Sequence, residues 1–319
     1  MLHTSDKGFP QDDAFDIIKS IDGIEVTLDA PLSEWTRFHA GGAADLLALP
    51  SSKENLLELM YLIRRRSWPM TVLGHASNVL VADKGIRGVT VMLSPRLGRI
   101  RVEGESLFCE AGAPLYEVAA FAARYSLSGV EFACGIPGSV GGAVFMNAGA
   151  FDGSMADVVV QTTYIGEDGK LMAVHGNEHN FSYRHSCFAD KREAVILETK
   201  LQLTREPAVD IYGRMADFAS RRYATQPLSS YSAGSAFRRP AGYFAGKLIT
   251  DAGMKGYTRG RAGVSSKHAG FIVNHGGASA QEIVQIFLDV RRAVFERDSV
   301  RLEPEVRLIG EWDKNPFET

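Results

Sequence analysis

Two stretches of this 319-residue chain have residue types at a spacing that could hold a ligand. In residues 129–157, GVEFACGIPGSVGGAVFMNAGAFDGSMAD, no charged side chain falls between Glu131 and Asp152. The run is nonetheless interrupted by Gly135, Gly138, Gly141, Gly142 and Gly149, with Pro137 and Asn147 among them. Glycine opens backbone conformations closed to other residues and removes the side chain that keeps a ligand at a distance. This composition fits bare main chain laid against a large, partly apolar ligand; the competing reading is a tight buried corner between strands. A membrane span of about 20 apolar residues is the poorest reading, because the glycines, Pro137 and Asn147 break it. The second stretch is the turn Gly74-His75-Ala76-Ser77-Asn78, which follows a short strand. Successive backbone N–H groups in such a turn can converge as an anion-binding nest, and Ser77 and Asn78 add side-chain donors. A plain connection is the alternative there.

Other chemistries are disfavoured by what stands at their key positions. GYFAGKL around Gly246 and Lys247 falls short of a phosphate loop: Ala241 occupies the first glycine position, and Leu248 stands where Ser or Thr must hold magnesium. No G-x-G-x-x-G lies between a strand and a helix, so a nucleotide cofactor would require a fold other than the doubly wound one. No histidines pair at metal-ligand spacing on one element, and no metal is expected. A G-x-S-x-G elbow is also missing. Lys and Arg total 35 against 38 Asp and Glu, a net charge of -3. That balance argues against nucleic acid as a partner but leaves room for one basic pocket. Cys109, Cys134 and Cys187 are odd in number and widely spaced, as reduced thiols of a cytosolic protein are. The first residues show no basic region followed by an apolar core, so a cytoplasmic location without membrane contact is expected.

The elements that would position these stretches can be read from periodicity. The length allows two or three domains, and 45% hydrophobic with 23% charged residues is ordinary for a globular chain. Residues up to about Pro31 read as a loose arm or surface helix. Residues 51–66 carry a capping-box signature, Ser51 with Glu54, ahead of Leu56, Leu57, Met60 and Ile63 at helical spacing. Strands are expected around residues 70–73, 97–113, 158–174 and 194–203, with a helix over 114–125 opened by Pro114. That helix buries Leu115, Val118, Ala119 and Ala122. A boundary falls near Arg205, Glu206 and Pro207. Beyond it come a helix over 211–223 with a core stripe of Ile211, Met215, Phe218 and Ala219, a strand over 271–274, and a helix capped by Ser279 with Glu282. A last strand, VRLEPEVRLIGEW, bears Glu303 and Glu305. No heptad is present; the oligomeric state is open, with a monomer slightly favoured.

Eight segments, in order, resemble one family: FHAGGAADLL, LGHASNVLVADKGIRG, GVEFACGIPGSVGGAVFMNAGA, YRHS, GSAFRRP, AGKLI, GVSSKHAGFIVN and LEPEVRLIGE. Each is moderately specific; together, from about Trp35 to Glu311, they are similar to UDP-N-acetylenolpyruvoylglucosamine reductases of the shorter branch, which lacks a tyrosine-bearing insertion. The resemblance implies an α+β fold: a two-part FAD-binding domain of the vanillyl-alcohol-oxidase type (residues 1–96 and 97–206) and a C-terminal substrate-binding domain (207–319). It also implies FAD as cofactor, NADPH as hydride donor, and reduction of the enolpyruvyl ether of UDP-N-acetylglucosamine to UDP-N-acetylmuramate. A flavin-dependent oxidase or dehydrogenase of another sugar or alcohol, with His75 as a possible covalent link, and a non-catalytic nucleotide-sugar-binding protein are the alternatives.

The resemblance assigns the segments as follows. Gly74, His75, Ala76, Ser77, Asn78, Val79 and Leu80 would hold the FAD pyrophosphate through main-chain N–H groups. Gly112, Gly135, Ile136, Pro137, Gly138, Ser139, Gly141, Gly142, Asn147, Ala148 and Gly149 would line the flavin. Arg184 and Glu305 would stand beside the substrate carboxylate, and Ser235 would be the proton donor. A planar guanidinium suits a carboxylate bidentately, and charge that accumulates beside it during hydride addition needs fixed partners and a positioned proton. Arg238, Arg239 and Lys247, with Tyr243 and Asn274, are the candidates for the substrate's diphosphate and uridine. The turn departs from the commonest family pattern in carrying His75 and Ala76 where glycines often stand, which would narrow it.

Overall fold

The computed structural model describes residues 9–191 and 193–318. They form two compact units. One takes in Asp45–His75 and Arg87–Ala219 with the described residues up to Ala30; the other takes in Pro31–Ala44, Ala76–Ile86 and the described residues from Ser220 on.

The first unit holds two sheets. A four-stranded sheet has the order Ile24–Pro31, Ala43–Pro50, Ile86–Met92, Met70–Leu73, the last two strands running parallel. The helices α1 (Gln11–Lys19) and α2 (Lys53–Arg66) bury Ala14 and Ile18, and Leu56, Leu59, Met60 and Ile63, in the core cluster shared with this sheet's Leu46, Val89 and Val91. Of the two readings of this segment, the helix holds for residues 11–19, and a strand that the sequence did not indicate follows it. The strand Ile24–Pro31 is an edge strand with mostly half-exposed side chains, which is why its apolar alternation is weak. The cap of α2 also differs from expectation by one residue: Ser52, not Ser51, is the N-cap, and its hydroxyl accepts from the Asn55 amide at 3.1 Å.

The second sheet is antiparallel and five-stranded, in the order Leu171–His175, Val159–Ile165, Val195–Gln202, Ser106–Glu110, Ile100–Glu103. The helix α3 (Leu115–Arg124) follows Pro114 and buries Leu115, Val118, Ala119 and Ala122, as its spacing predicts. The helix α4 (Val140–Met146) lies inside the Gly-rich stretch. Two glycines in seven residues weaken a helix, and the compensation is tertiary: Ser139 caps it and residues 138–141 hydrogen-bond along residues 111–115. The helix α5 (Ala208–Thr225) begins in this unit, with Ile211 buried and Met215 and Phe218 packed against its core.

In the second unit a three-stranded antiparallel sheet, Thr258–Arg259, Ala262–Val264 and Ile272–Asn274, packs with α6 (Ala245–Asp251) and α7 (Ala280–Asp298). The capping box of Ser279 and Glu282 at the start of α7 is formed. Asp83 reinforces it by accepting from the amides of Ala280 and Gln281 at 2.7 and 3.0 Å. The final strand is shorter than the sequence pattern indicated: it spans Arg307–Ile309 and pairs in parallel with Val79–Val81. Glu303 and Glu305 lie ahead of it, around Pro304, which cannot donate to a ladder. Among the described residues no helix is long and apolar enough to cross a membrane.

Candidate functional site

The turn after the Met70–Leu73 strand starts at Gly74, where a side chain has no room: a Cβ there would lie 2.3 Å from Ser139 Oγ. His75 does not project into the turn. Its Nε2 lies 3.1 Å from the Gly112 carbonyl, which can only accept, so Nε2 carries the proton. Burial pushes the imidazole below its ordinary pKa, against the opposing pull of that carbonyl and of Glu117. The ring is thus neutral and tied to the strand-to-helix corner at Gly112. Ala76 is buried with φ at 44°, a conformation that costs most side-chain-bearing residues about 1–2 kcal/mol. Among the described residues no protein acceptor is paired with the amides of His75, Ala76 and Ser77. Unpaired amides at a half-buried turn are what a diphosphate would fill, so the turn fits the pyrophosphate of a dinucleotide.

The Gly-rich corner is built from the protein's own packing as much as from any ligand. Gly141 donates to the Ala111 carbonyl at 2.8 Å, and a Cβ on it would approach Ala111 Cβ to 3.0 Å. A Cβ on Gly112 would lie 2.1 Å from the Ser94 carbonyl oxygen. Gly135 and Pro137 remain exposed and Ile136 and Gly138 half-buried, so this short loop is open to the surroundings. Its approach is fixed by Glu131. That carboxylate accepts from Ser128 Oγ at 2.9 Å, the Gly129 amide at 2.8 Å and Arg214 Nη2 at 2.6 Å. Burial alone would raise the Glu131 pKa; the guanidinium and the amide and hydroxyl donors outweigh it and hold the carboxyl below its usual range.

The same corner holds Arg184. Ser182 and His185 exchange main-chain bonds, leaving Tyr183 and Arg184 as a two-residue turn, with Arg184 at φ 55° and its guanidinium 5.0 Å from the Tyr183 ring centre. Asn147, itself left-handed at φ 43°, donates from Nδ2 to the Ser182 carbonyl at 3.0 Å and accepts the Ala156 amide at 2.9 Å. Ser186 Oγ donates to the Phe145 carbonyl at 2.9 Å. Two straps thus bind the Arg184 turn to the end of α4. The pairings of Ser186 with Phe145 and of Glu131 with Arg214 carry no local sequence signal, since the partners lie 41 and 83 residues away.

In the second unit Ser235 and Glu305 share one backbone ladder. The Ala236 amide donates to the Gly270 carbonyl and the Glu305 amide to the Ala236 carbonyl, both at 2.8 Å, and the Arg238 amide donates to the Glu303 carbonyl. Ser235 is exposed and Glu305 half-buried. Asn78 joins this ladder: its Nδ2 donates to the Glu305 carbonyl at 3.2 Å, and its own carbonyl accepts the Arg307 amide at 3.0 Å. The side chain expected to serve the turn as a free donor is therefore engaged with Glu305. Of the expected substrate contacts, Tyr243 is exposed, Arg239 lies 4.1 Å from the Phe244 ring centre, and Lys247 pairs with Asp251 at 2.6 Å on the surface. Arg238 sits 4.0 Å from Glu303. Asn274 is different. It is buried, its Nδ2 donates to the Phe38 and His39 carbonyls, and its Oδ1 accepts the Gly276 and Ala278 amides. Both donors and both lone pairs are used, and Asn274 fastens the turn at Phe38 and His39.

Two family profiles match: residues 44–175 match an FAD binding domain, and residues 226–309 match the C-terminal domain of UDP-N-acetylenolpyruvoylglucosamine reductase. The UDP-N-acetylenolpyruvoylglucosamine reductase of Syntrophomonas wolfei is 44% identical over 286 residues, 90% of this chain and 95% of that protein. The protein of the same name from Agathobacter rectalis is 44% identical over 296 residues, 89% of this chain and 94% of its own. Among solved structures, the UDP-N-acetylenolpyruvylglucosamine reductase of Thermus caldophilus superposes with a TM-score of 0.75 at 34% identity, covering 89% of this chain and 98% of that one.

Proposed function

The chain belongs to the UDP-N-acetylenolpyruvoylglucosamine reductase family, and on that premise we propose that it reduces UDP-N-acetylglucosamine enolpyruvate to UDP-N-acetylmuramate with NADPH as the hydride donor. It is an α+β oxidoreductase with an FAD-binding domain. In our reading it works in the cytoplasm, in peptidoglycan precursor synthesis, with residues 1–96 and 97–206 sharing the cofactor and 207–319 receiving the substrate.

Bound to the chain, FAD supplies the hydride chemistry. The amides of residues 75–77 hold its pyrophosphate, and the loop Gly135, Ile136, Pro137 and Gly138 with the start of α4 lines the ring system. Arg184 grips the substrate carboxylate, where a planar guanidinium offers two parallel donors. Glu305 stands beside the same carboxylate, next to the charge that gathers there. Ser235 Oγ delivers the proton to the adjacent carbon. Arg238, Arg239, Tyr243 and Lys247 serve the diphosphate and uridine; a surface pair such as Lys247 with Asp251 is worth little and can be exchanged for a phosphate.

The observation that carries the reading is the ladder in which Ser235 and Glu305, 70 positions apart in sequence, are brought into one hydrogen-bonded segment with Asn78 of the cofactor turn. The test is anaerobic stopped-flow of the flavin absorbance. Bleaching by NADPH and recovery on adding the enolpyruvyl nucleotide sugar are expected, with recovery slowed at least about 100-fold in Ser235→Ala and bleaching unchanged. Bleaching without recovery in the unaltered protein would assign it another acceptor, and a preparation free of flavin would refute the reading.

A further inference from the structure

We infer that Asn78 is a positioning residue for Glu305, so that the turn proposed to hold the cofactor also sets where that carboxyl stands. The inference rests on the role proposed above for Glu305. It assigns Asn78 a task distinct from that of a phosphate donor.

Asn78 holds two peptide groups on either side of the buried Val306. Its Nδ2 donates to the Glu305 carbonyl at 3.2 Å, and its main-chain oxygen accepts the Arg307 amide at 3.0 Å. The grip then continues as a parallel pairing, Val79 with Arg307, Leu80 with Leu308 and Val81 with Ile309. From the other side the Glu305 amide donates to the Ala236 carbonyl. The Cα of Glu305 is thus held between the Ser235 segment and the cofactor turn. The residue before it is Pro304, which has no N–H to add a restraint. Of the common side chains, an amide at position 78 is suited to this task. It must reach a carbonyl with a donor, which Asp lacks when ionised and Ala lacks altogether.

Fixing a carboxyl to within a fraction of an ångström matters because misplacement of a reacting group lowers rate more than affinity. Losing one such hydrogen bond is expected to slow the step that needs Glu305 roughly threefold to tenfold. The experiment compares the holoenzyme with Asn78→Asp, which keeps the volume, and Asn78→Ser, which keeps a donor but shortens its reach. Hydrogen exchange of the Glu305 and Arg307 amides should quicken in both variants, a readout independent of turnover. Recovery of flavin absorbance by the enolpyruvyl substrate should slow roughly threefold to tenfold. Asn78→Asp also sets a carboxylate beside the pyrophosphate turn, so its Kd for FAD should rise, whereas in Asn78→Ser recovery should slow more than bleaching by NADPH does. In a Glu305→Gln background the same changes should add less than about twofold, since residues acting as one unit are not additive. Weaker FAD binding with unchanged exchange at Glu305, or an undiminished effect in Glu305→Gln, would overturn the inference. An unaltered enzyme that never recovers its absorbance would fail the functional reading instead, and the exchange result would still decide the brace.

Discussion

Asn274 offers the sharpest separation between a residue that touches substrate and one that holds the fold. Replacing it by Ala removes acceptors from the Gly276 and Ala278 amides and a donor from the Phe38 and His39 carbonyls. The bonds to Phe38 and Ala278 are buried; those to His39 and Gly276 are partly open, so water can replace them. Each group left buried without a partner costs about 1–3 kcal/mol, so the two buried ones cost about 2–6 kcal/mol together. At about 2–4 °C per kcal/mol for a domain of this order, Asn274→Ala should melt lower by roughly 8–16 °C if the cost is near 4 kcal/mol. Asn274→Asp keeps the acceptor and sets a carboxylate oxygen against two carbonyls, and should be at least as damaging. Differential scanning calorimetry reads the loss. Steady-state kinetics at a temperature where the variants remain folded should give KM for the nucleotide sugar within about twofold of the unaltered enzyme. A near-native melting temperature with KM raised tenfold or more would refute the assignment and return Asn274 to the substrate site.

Three further outcomes follow from the first unit. Glu131→Gln should cost about 1–2 kcal/mol near pH 7, a buried-pair penalty discounted because Arg214 is 40% exposed. Because the folded carboxyl is held below its ordinary 4.5, that contribution is complete above pH 4.5 and is lost as pH falls through the folded pKa; urea unfolding of both proteins from pH 7 to pH 3 should show the gap closing. For His75 the folded pKa lies below 6.5, so the unfolded chain takes up the proton first and stability falls as pH drops below about 6.5; His75→Gln should flatten that part of the melting profile, and an unchanged slope would deny that burial depresses the imidazole. Gly74→Ala should push Ser139 Oγ off the Gly142 amide and cost about 1 kcal/mol, the value of an N-cap, with little added cost in a Ser139→Ala background.

What the sequence made legible divides along the range of the interactions involved. The helix α7 is readable because its cap, Ser279 with Glu282, and its stripe of Ile283, Ile286, Phe287, Val290 and Val294 are local. The helix α3 is readable for the same reason. The edge strand Ile24–Pro31 was obscured because one side of it is open and its polar residues do not alternate cleanly with buried ones. The helix α4 was obscured by Gly141 and Gly142, which oppose a helix locally and are admitted by contact with Ala111 and by the Ser139 cap. Arg184, Ser235 and Glu305 have no signature of their own and stood out only as members of an ordered set of motifs. Asn78 and Asn274 make the deeper point. Both are amides within matching motifs, and both were read as ligand contacts on that ground. One braces the carbonyl of Glu305, and the other spends every donor and lone pair on chain segments as far as 236 residues away. Sequence identifies an amide by type, whereas its function depends on which donors remain after the fold has used the rest. For a polar motif residue, the hydrogen bonds already made to the protein therefore decide between ligand and scaffold before any substrate is considered.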